Sequence, residues 1–335
     1  MIYLIAFACS LIVSFALTPL MRKLALRYGI IDRPISAVKT HKTPVPYLGG
    51  VAIWASFVLI LFIVRFYTHF PTGTLRNLRG IFIGGTIIMF LGLVDDIKGL
   101  DFKIKFLAQV VGAIILMLFD IRIKFISHPL LSSVLTIIWV VGITNALNII
   151  DIMDGLSSGI SVIACLAFFF VALPTEQIYV NFASCVLAGS CLGFLRYNFK
   201  PARIFMGDAG SLFCGFILAA ISLGESYTTI NNIALLAPVF ILGIPIYDTA
   251  LVSLFRFRKG KSIFLGSKDH FALRLEAMGH PRGRVVFIAY LISAMLGVTA
   301  FLITVVKFEI AVLIYALIVG LAILFGAILG GVEVK

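Results

Sequence analysis

Long apolar segments recur along the whole chain, and this feature constrains the fold more than any other. A helix that crosses a bilayer needs about 20 consecutive, mostly apolar residues. Eleven such segments, some short or interrupted, cover residues 2–20, 48–65, 80–94, 105–119, 131–148, 159–173, 179–195, 210–223, 232–252, 285–306 and 309–330. Only 13% of the 335 residues are charged, whereas soluble domains carry roughly a quarter. We therefore predict an all-α, polytopic membrane protein with about 10 to 11 transmembrane helices and exclude a soluble or disordered chain.

We expect residues 1–335 to form a single transmembrane domain. The first apolar segment has no basic stretch before it and is followed by Arg22 and Lys23, which is typical of a retained helix rather than a cleaved signal peptide. The five cysteines lie in apolar stretches without a CxxC pair. Neither a disulfide framework nor a zinc site is therefore predicted.

The basic residues are unevenly distributed between alternate loops, and this predicts the orientation. Cytoplasmic loops of membrane proteins are enriched in Lys and Arg. If the N-terminus lies outside and the C-terminus in the cytoplasm, 21 of the 27 Lys and Arg residues lie on the cytoplasmic side. Because they are spread over several loops rather than gathered in one domain, we exclude nucleic acid as a partner despite the net charge of +12. Most acidic residues lie in the same loops, where we expect the active site.

Two adjacent carboxylates, Asp95 and Asp96, end the third apolar segment in FLGLVDDIKGLD. Neighbouring carboxylates raise each other's affinity for a proton or a divalent cation, so the pair is consistent with a general base or a metal site. A solvated helix end is the alternative. Lys103 and Lys105 follow, and they fit either a site next to the pair or anchors at the membrane interface.

A second group of polar residues recurs at every third position in NALNIIDIMDGLSSG: Asn145, Asn148, Asp151 and Asp154. Each step of three turns about 60° backward on an α-helix, so the four cannot all face one way, but Asn148 and Asp151 can share a site. Polar groups at membrane depth are costly and indicate a functional site by default. Hydrogen bonding between helices is the alternative.

A third group lies in RYNFKPARIFMGDAGSLFCG, where Gly207 and Gly210 flank Asp208 and Ser211 begins the next apolar segment. A glycine-rich turn into a helix offers backbone N–H groups to a phosphate. Asp208 is suited to hold a divalent ion that bridges the same phosphate. Three cations of the same loop strengthen this interpretation: Arg196, Lys200 and Arg203.

Two further loops carry candidate residues. The first, DRPISAVKTHKTPVPYLGG, contains Lys39, His41 and Lys42 before a proline-rich turn. The last, FRFRKGKSIFLGSKDHFALRLEAMGHPRGR, contains His270 and Arg274, which share a helical face at this spacing. We count both as candidate substrate-binding residues, although His270 fits a structural role equally well. Attraction to anionic lipid is the alternative for the other cations of this loop.

These motifs together resemble the polyprenyl-phosphate N-acetylhexosamine-1-phosphate transferase family. DRP with HKTPVPYLGG, GLVDD with KFLAQ, NALNIIDIMDGLSSG and YNFKPARIFMGDAGS occur in the family's order between residue 32 and about residue 280. The resemblance implies a polytopic enzyme that transfers a sugar 1-phosphate from a UDP-sugar to a polyprenyl phosphate and releases UMP. It also implies Mg²⁺ as cofactor, with Mn²⁺ as a substitute.

The resemblance also assigns roles to individual residues. Asp95 and Asp96 match the family's aspartate pair, of which the first is assigned to activating the polyprenyl phosphate oxygen and the second to the metal region. Asp208 matches the magnesium-binding aspartate, and Asn148 an asparagine beside it. Three more residues match positions of the nucleotide pocket, with the aromatic one against uracil: Asp151, Asp154 and Phe205. Basic positions near phosphate groups are matched by Lys42, Lys103 and Lys105.

The sugar is predicted from family frequency as N-acetylglucosamine. Many relatives have two or three histidines in the last cytoplasmic loop, whereas DHFALR has only His270. We therefore rank phospho-N-acetylmuramoyl-pentapeptide transferase of peptidoglycan synthesis second to transferases that start other cell-envelope glycans, including lipopolysaccharide. From another class, an ion-coupled transporter is the alternative, but its acidic residues would lie near the membrane midplane rather than at one end of the helices.

The resemblance also predicts surroundings and partners. We expect the cytoplasmic membrane of a bacterium, a lipid bilayer around the chain, and a homodimer as one form. The polyprenyl chain would need an apolar groove near the fifth and ninth segments. Pro238 and Pro245 are placed to bend the ninth segment and open such a groove.

Overall fold

A computed structural model describes residues 1–34, 43–224, 232–260 and 267–332, together with Val334. Its helices are α1 (Ile2–Tyr28), α2 (Gly49–Tyr67), α3 (Thr72–Lys98), α4 (Phe102–Leu118), α5 (Pro129–Ile149), α6 (Leu156–Ala172), α7 (Ile178–Asn198), α8 (Gly207–Ser222), α9 (Ala237–Ile241), α10 (Gly243–Arg258), α11 (Phe271–Ala277), α12 (Arg282–Val305) and α13 (Phe308–Gly330). A 3₁₀ turn covers Asn232–Leu236, and two short antiparallel strands, β1 (Ile31–Asp32) and β2 (Val45–Pro46), pair before α2. The prediction of an all-α polytopic membrane protein is confirmed.

Helices occupy all eleven apolar segments, but not all of them are long enough to cross a membrane. In the described part of the chain, seven helices are long and apolar enough to cross a membrane, namely α1, α2, α3, α5, α7, α12 and α13. The bent pair of α9 and α10 makes an eighth if the two form one span. The remaining three, α4, α6 and α8, have 17, 17 and 16 residues. At 1.5 Å per residue, 17 residues rise about 25 Å, less than the roughly 30 Å of the hydrocarbon core. A count of 10 to 11 crossings is therefore not confirmed.

The interior of the bundle is built around α7 and α8. Of the most apolar stretch of α7, 83% is buried, against 6% for α13. Close approach of α1 to α7 depends on small residues, since a Cβ on Gly189 or Gly193 would lie within 2.4 Å of backbone oxygens of α1. The outer helices present their apolar side chains where lipid would surround them.

Glycines also allow α2 and α3 to reach the start of α8. A Cβ on Gly92 of α3 would lie 2.4 Å from the carbonyl oxygen of Asp208, and one on Gly50 of α2 would lie 2.1 Å from the backbone nitrogen of Gly210. Backbone thus packs directly on backbone around the first turn of α8. This packing fixes Asp208 relative to the end of α3.

The predicted bend in the ninth apolar segment is confirmed. The helical stretches Ala234–Ile241 and Gly243–Arg258 meet at an angle of 70°. Pro245 has no N–H to donate to the carbonyl of Ile241, and its ring excludes that carbonyl from a continuous helix. Pro238 lies in the first turn of α9, where a missing N–H costs nothing. Pro245 therefore accounts for the break, and α10 packs against α5 beyond it.

Candidate active site

Three carboxylates from two helices meet where α3 ends and α8 begins. Asp95 and Asp96 lie in the last turn of α3, and Asp208 lies in the first turn of α8. We call these three residues the carboxylate cluster. Lys105 of α4 and Asn148 of α5 reach it from the sides. The structure thus brings together five residues that were predicted from three separate sequence motifs.

Asp96 caps the N-terminus of α8. Its Oδ1 accepts a hydrogen bond from the backbone N–H of Asp208 at 2.8 Å, and its Oδ2 accepts one from Ala209 at 3.1 Å. These N–H groups have no partner within the helix, and a negative charge at a helix N-terminus is stabilising. Gly207 makes the approach possible, because its φ is +67° and a Cβ there would lie 2.4 Å from Asp96 Oδ2. The helix terminus that was expected to receive phosphate is therefore occupied by a carboxylate of the chain.

The ammonium of Lys105 lies between the other two carboxylates. Its Nζ is 2.7 Å from Asp95 Oδ2 and 3.3 Å from Asp208 Oδ2. The second oxygen of Asp95 accepts the backbone N–H of Leu100 at 2.6 Å. Both oxygens of Asp95 are therefore oriented, and two carboxylates share one ammonium at this point.

Asn148 orients Asp208 from the opposite side. Its Nδ2 donates to Asp208 Oδ1 and to Ser211 Oγ, both at 2.9 Å. Ser211 in turn donates to the carbonyl of Gly207 at 3.0 Å. Both contacts are made by Nδ2 of Asn148, so its Oδ1 is not used in holding Asp208.

The oxygen atoms of this site suit a hard divalent cation. In the described part of the chain, no group of three His, Cys, Asp or Glu side chains is arranged as a complete metal site. Mg²⁺ does not require one, since it is commonly held by one or two carboxylates together with substrate phosphates and water. The Lys105 ammonium already marks a position where a cation contacts both Asp95 and Asp208. The residues present therefore fit a magnesium ion held by Asp208 and Asn148.

Asp151 and Asp154 lie on the turn between α5 and α6, next to the cluster. Burial, with the nearby charges of Asp208 and Asp154, raises the pKa of Asp151 to about 7. Oδ2 of Asp154 accepts the backbone N–H of Ala202 at 2.9 Å. Asp154 thus ties its own turn to the segment that precedes α8.

Phe205 lies on that segment and faces Tyr47. Its backbone N–H donates to the carbonyl of Pro46 at 2.9 Å, and its carbonyl accepts the N–H of Gly49 at 3.0 Å. The two rings lie 6.5 Å apart between centroids. Burial, followed by the charge of Asp32, raises the pKa of Tyr47 well above its usual range. Tyr47 was not predicted as a site residue, because only its place in the PVPYLGG motif marks it in the sequence.

Asn198 joins the same two segments and was not singled out from the sequence. Its Oδ1 accepts the backbone N–H of Gly155 at 3.1 Å and the hydroxyl of Ser158 at 2.9 Å, and its Nδ2 donates to the carbonyl of Ile204 at 3.1 Å. On the other side, the Tyr290 hydroxyl donates to the carbonyl of Gly155. A small cleft beside this turn is lined by Met153, Asp154, Phe199, Lys200, Arg282, Gly283 and Val286.

The three predicted phosphate-binding lysines differ in what the structure shows of them. Lys42 lies outside the described residues. Lys103 is exposed at the start of α4, and among the described residues its ammonium contacts none of the three carboxylates. Among the described residues, Lys105 is the predicted phosphate-binding lysine that reaches the carboxylates.

His270 and Arg274 belong to a second polar network. His270 Nδ1 lies 2.7 Å from Oδ2 of the fully buried Asp248, whose Oδ1 accepts the backbone N–H of Phe271. The guanidinium of Arg274 is buried and stacks on the Phe255 ring at 4.0 Å. It donates to Asp269 and to two backbone carbonyls at or just after the C-terminal end of α13, those of Leu329 and Val332. Arg274 is therefore engaged with the protein itself. Asp248, within PIYDTALV, was missed because a lone acid in an apolar helix has no partner visible in the sequence.

Comparison with known proteins gives a consistent result. Residues 78–225, which include the carboxylate cluster, match the family model described as glycosyl transferase family 4. A probable undecaprenyl-phosphate N-acetylglucosaminyl 1-phosphate transferase of Bacillus subtilis is 35% identical over 305 residues, covering 88% of this chain and 83% of the relative. A decaprenyl-phosphate N-acetylglucosaminephosphotransferase of Mycobacterium tuberculosis is 34% identical over 330 residues, covering 89% and 80%. A phospho-N-acetylmuramoyl-pentapeptide-transferase of Staphylococcus haemolyticus is 29% identical over 330 residues, covering 89% and 98%.

Proposed function

Because this chain belongs to the polyprenyl-phosphate N-acetylhexosamine-1-phosphate transferases of glycosyl transferase family 4, we propose that it transfers N-acetylglucosamine 1-phosphate from its UDP-sugar to undecaprenyl phosphate and releases UMP. The observation that carries this proposal is the similarity over most of their length to relatives named for this transfer. The convergence of Asp95, Asp208, Lys105 and Asn148 supports it, since phosphoryl transfer is catalysed chiefly by positioning and charge.

In the proposed reaction, a phosphate oxygen of the lipid attacks the β-phosphorus of the donor. A new phosphorus–oxygen bond forms, the bond from the β-phosphorus to the bridging oxygen breaks, and UMP leaves with that oxygen. The two substrates repel each other because both carry negative phosphates. Lys105, whose ammonium lies 2.7 Å from Asp95 and 3.3 Å from Asp208, would offset part of this repulsion at the point of transfer.

We propose Mg²⁺ as the cofactor, held by Asp208 and Asn148, with Mn²⁺ as a substitute. When bound, the ion would neutralise charge on the donor diphosphate. Asp95, oriented by Lys105 and the backbone of Leu100, would hold and activate the acceptor phosphate. Asp96 would act through α8, because both its oxygens hold the backbone that carries Asp208.

The nucleotide would bind beside the cluster. Phe205, opposite Tyr47, would contact uracil, while Asp151 and Asp154 would shape the pocket from the turn between α5 and α6. Lys42 and Lys103 remain proposed contacts for substrate phosphates, and His270 remains a proposed substrate-binding residue. For Arg274 the contacts support a role in holding the segment that begins with His270.

The polyprenyl chain would lie along α5 and α10, next to the bend of 70°. An acceptor of this kind explains why a phosphotransferase is embedded in a membrane, since its lipid chain stays in the bilayer while its phosphate meets a soluble donor. We place the enzyme in the bacterial cytoplasmic membrane, as the first membrane step of a cell-envelope glycan pathway. A homodimer is the proposed assembly.

The experiment is UMP release by the purified full-length protein with undecaprenyl phosphate, with and without Mg²⁺. The donors are UDP-N-acetylglucosamine, UDP-N-acetylgalactosamine and UDP-N-acetylmuramoyl-pentapeptide. We expect release with UDP-N-acetylglucosamine that requires both lipid and metal. Release only with the pentapeptide donor would favour the peptidoglycan reaction, which the 29% identical relative represents. No release with any donor would contradict the proposal and favour the transporter alternative.

A further inference from the structure

A pair of amides, one buried and one partly buried, connects α4 to α5 near the carboxylate cluster. Gln109 is fully buried, and its Nε2 donates to Asn145 Oδ1 at 3.3 Å. Asn145 Nδ2 donates back to Gln109 Oε1 at 2.5 Å and also to the carbonyl of Val141 at 2.8 Å. Each amide therefore serves as both donor and acceptor for the other. We call Gln109 and Asn145 the amide pair.

The amide pair lies one helical turn from the two residues that hold Asp208. Gln109 follows Lys105 by four positions on α4, and Asn145 precedes Asn148 by three positions on α5. Residues at these spacings share a helix face. Lys105 contacts Oδ2 of Asp208 and Asn148 contacts Oδ1. The two helices that hold Asp208 are thus joined to each other by a hydrogen-bonded bridge one turn away.

The buried threonines of α5 do not make such a bridge to α4. The hydroxyls of Thr136 and Thr144 donate to carbonyls four residues earlier in α5 itself, and that of Thr136 also accepts the backbone N–H of Ile123 in the segment before the helix. Such bonds satisfy the hydroxyl but fix no distance to another helix. The amide pair does fix one, because separating α4 from α5 would leave an amide unpaired in an apolar interior.

We infer that the amide pair positions the two flanks of the active site: it sets the separation of α4 and α5 so that Lys105 and Asn148 reach the two oxygens of Asp208 at the same time. Gln109 and Asn145 are then positioning residues that contact neither substrate. This inference rests on the proposed function only in taking Asp208 and Asn148 as the cation-holding residues. It assigns a role to Asn145, the one member of the NALNIIDIMDGLSSG series that the proposed reaction does not use.

Four variants test this inference. Gln109→Leu removes the bridge with an apolar side chain of similar length. Gln109→Asn shortens the bridge by one methylene, and Asn145→Gln lengthens it by one methylene. The double variant Gln109→Asn/Asn145→Gln restores the length of the bridge with the two amides exchanged. Thr136→Val is the matched control, since it removes a buried polar contact on the same helix, 12 residues from Asn148 in the sequence. Asp208→Ala serves as the reference for a lost cation site.

The readout is binding of Mn²⁺ alone to the detergent-purified protein, followed by electron paramagnetic resonance, beside the thermal unfolding midpoint without metal. We expect Gln109→Leu and both single amide variants to weaken Mn²⁺ binding about tenfold, as is usual when a group that orients a metal ligand is removed. The double variant should recover most of that loss. Thr136→Val should lower the unfolding midpoint without changing Mn²⁺ affinity.

Unchanged Mn²⁺ affinity in the folded single variants would overturn the inference, and so would a double variant no better than its parents. Absence of Mn²⁺ binding by the unsubstituted protein would overturn it as well. If Gln109→Leu does not fold, the Mn²⁺ affinities of the two single amide variants and of the double variant test the inference. Failure of the proposed reaction is distinguishable, because UMP release would then be absent from a protein whose Mn²⁺ binding still depends on the amide pair.

Discussion

At the start of α8, the position of one carboxylate depends on the absence of one side chain. Asp96 can accept the N–H groups of Asp208 and Ala209 because Gly207 has no Cβ, which would otherwise lie 2.4 Å from Asp96 Oδ2. Gly207 also has a φ of +67°, where L side chains are strained. A side chain at position 207 would therefore cause both a steric clash with Asp96 and backbone strain. A second glycine with a similar φ allows the two effects to be measured separately.

We predict that Gly207→Ala lowers the rate of UMP release about a hundredfold, because displacement of catalytic groups by about 1 Å has effects of this size. Gly29→Ala is the matched control: Gly29 has a φ of +70° and nothing within 4 Å of the added Cβ. Both variants should lose about 1 kcal/mol of stability to backbone strain, measured from thermal unfolding. Equal activity in the two variants would contradict the role given to Asp96.

Asp208 receives contacts from both Lys105 and Asn148, and we predict that its charge is required for the reaction. Asp208→Asn should reduce UMP release by about a thousandfold while the purified protein keeps its unfolding midpoint. Asp120→Asn is the control, since Asp120 forms an exposed ion pair with Lys124 away from the cluster. Activity of Asp208→Asn close to that of Asp120→Asn would remove Asp208 from the proposed mechanism.

At this scale the sequence predicted the residues of the cluster better than their roles. Carboxylates and asparagines in apolar surroundings are recognisable because they are costly there, and Asp95, Asp96, Asn148 and Asp208 do meet in the structure. That Asp96 caps a helix was not predictable, since the contact joins residues 112 positions apart.

Among the elements, the short helix α11 is held by a charge network that predicts a pH dependence. Burial by itself would raise the pKa of Asp269, but hydrogen bonds and charges from Lys259 and Arg274 outweigh it and lower that pKa below its ordinary value of 3.8. A carboxyl group whose pKa is lower in the folded state stabilises the fold above pH 3.8, and this contribution is lost as pH falls through the folded-state pKa.

Asp269→Ala should therefore lower the free energy of unfolding by about 3 kcal/mol at neutral pH, because it leaves the buried Arg274 without its carboxylate. The difference from the unsubstituted protein should shrink as the pH is lowered below 3.8. Thermal unfolding in detergent between pH 3 and pH 7 measures both. A difference that stays constant over this range would show that the carboxylate charge is not what stabilises the segment.

The break between α9 and α10 supports a second prediction about an element. Pro245→Ala restores the N–H that a continuous helix needs, so we expect the bend of 70° to relax and the apolar groove to narrow. The KM for undecaprenyl phosphate should rise roughly threefold to tenfold, which corresponds to about 1 kcal/mol of binding free energy, while the KM for the UDP-sugar stays the same. Pro19→Ala, within α1, controls for the loss of a proline. Parallel changes in both KM values would contradict a groove beside α10.

Helix positions were predictable from hydropathy, whereas helix lengths were not. Each of the eleven apolar segments lies on helical structure. However, α8 has 16 residues, and all of them except Asp208 are buried inside the protein. Its apolar composition arises from packing inside the protein rather than from contact with lipid, and the two causes look alike in a sequence. The strands β1 and β2, two residues each, carried no detectable pattern.

For the whole molecule, the distribution of charge predicts a measurable orientation. Lys98 and Arg122 are exposed on either side of α4, and the predicted topology puts Lys98 in the cytoplasm and Arg122 outside. In a variant lacking native cysteines, Arg122→Cys should react with a membrane-impermeant maleimide in intact cells. Lys98→Cys should react only in inverted vesicles. The reverse pattern would contradict the orientation, and labelling of both from one side would mean that α4 does not cross the membrane.

In the proposed reaction, the sugar moves together with a phosphate. This transfer is tested most directly by supplying the purified protein with undecaprenyl phosphate and UDP-N-acetylglucosamine radiolabelled in the β-phosphate. We expect the label to appear in a lipid product and the released nucleotide to be unlabelled UMP, both dependent on Mg²⁺. Label retained in UDP while the sugar alone reaches the lipid would contradict it, because the bond broken would then be the glycosidic one.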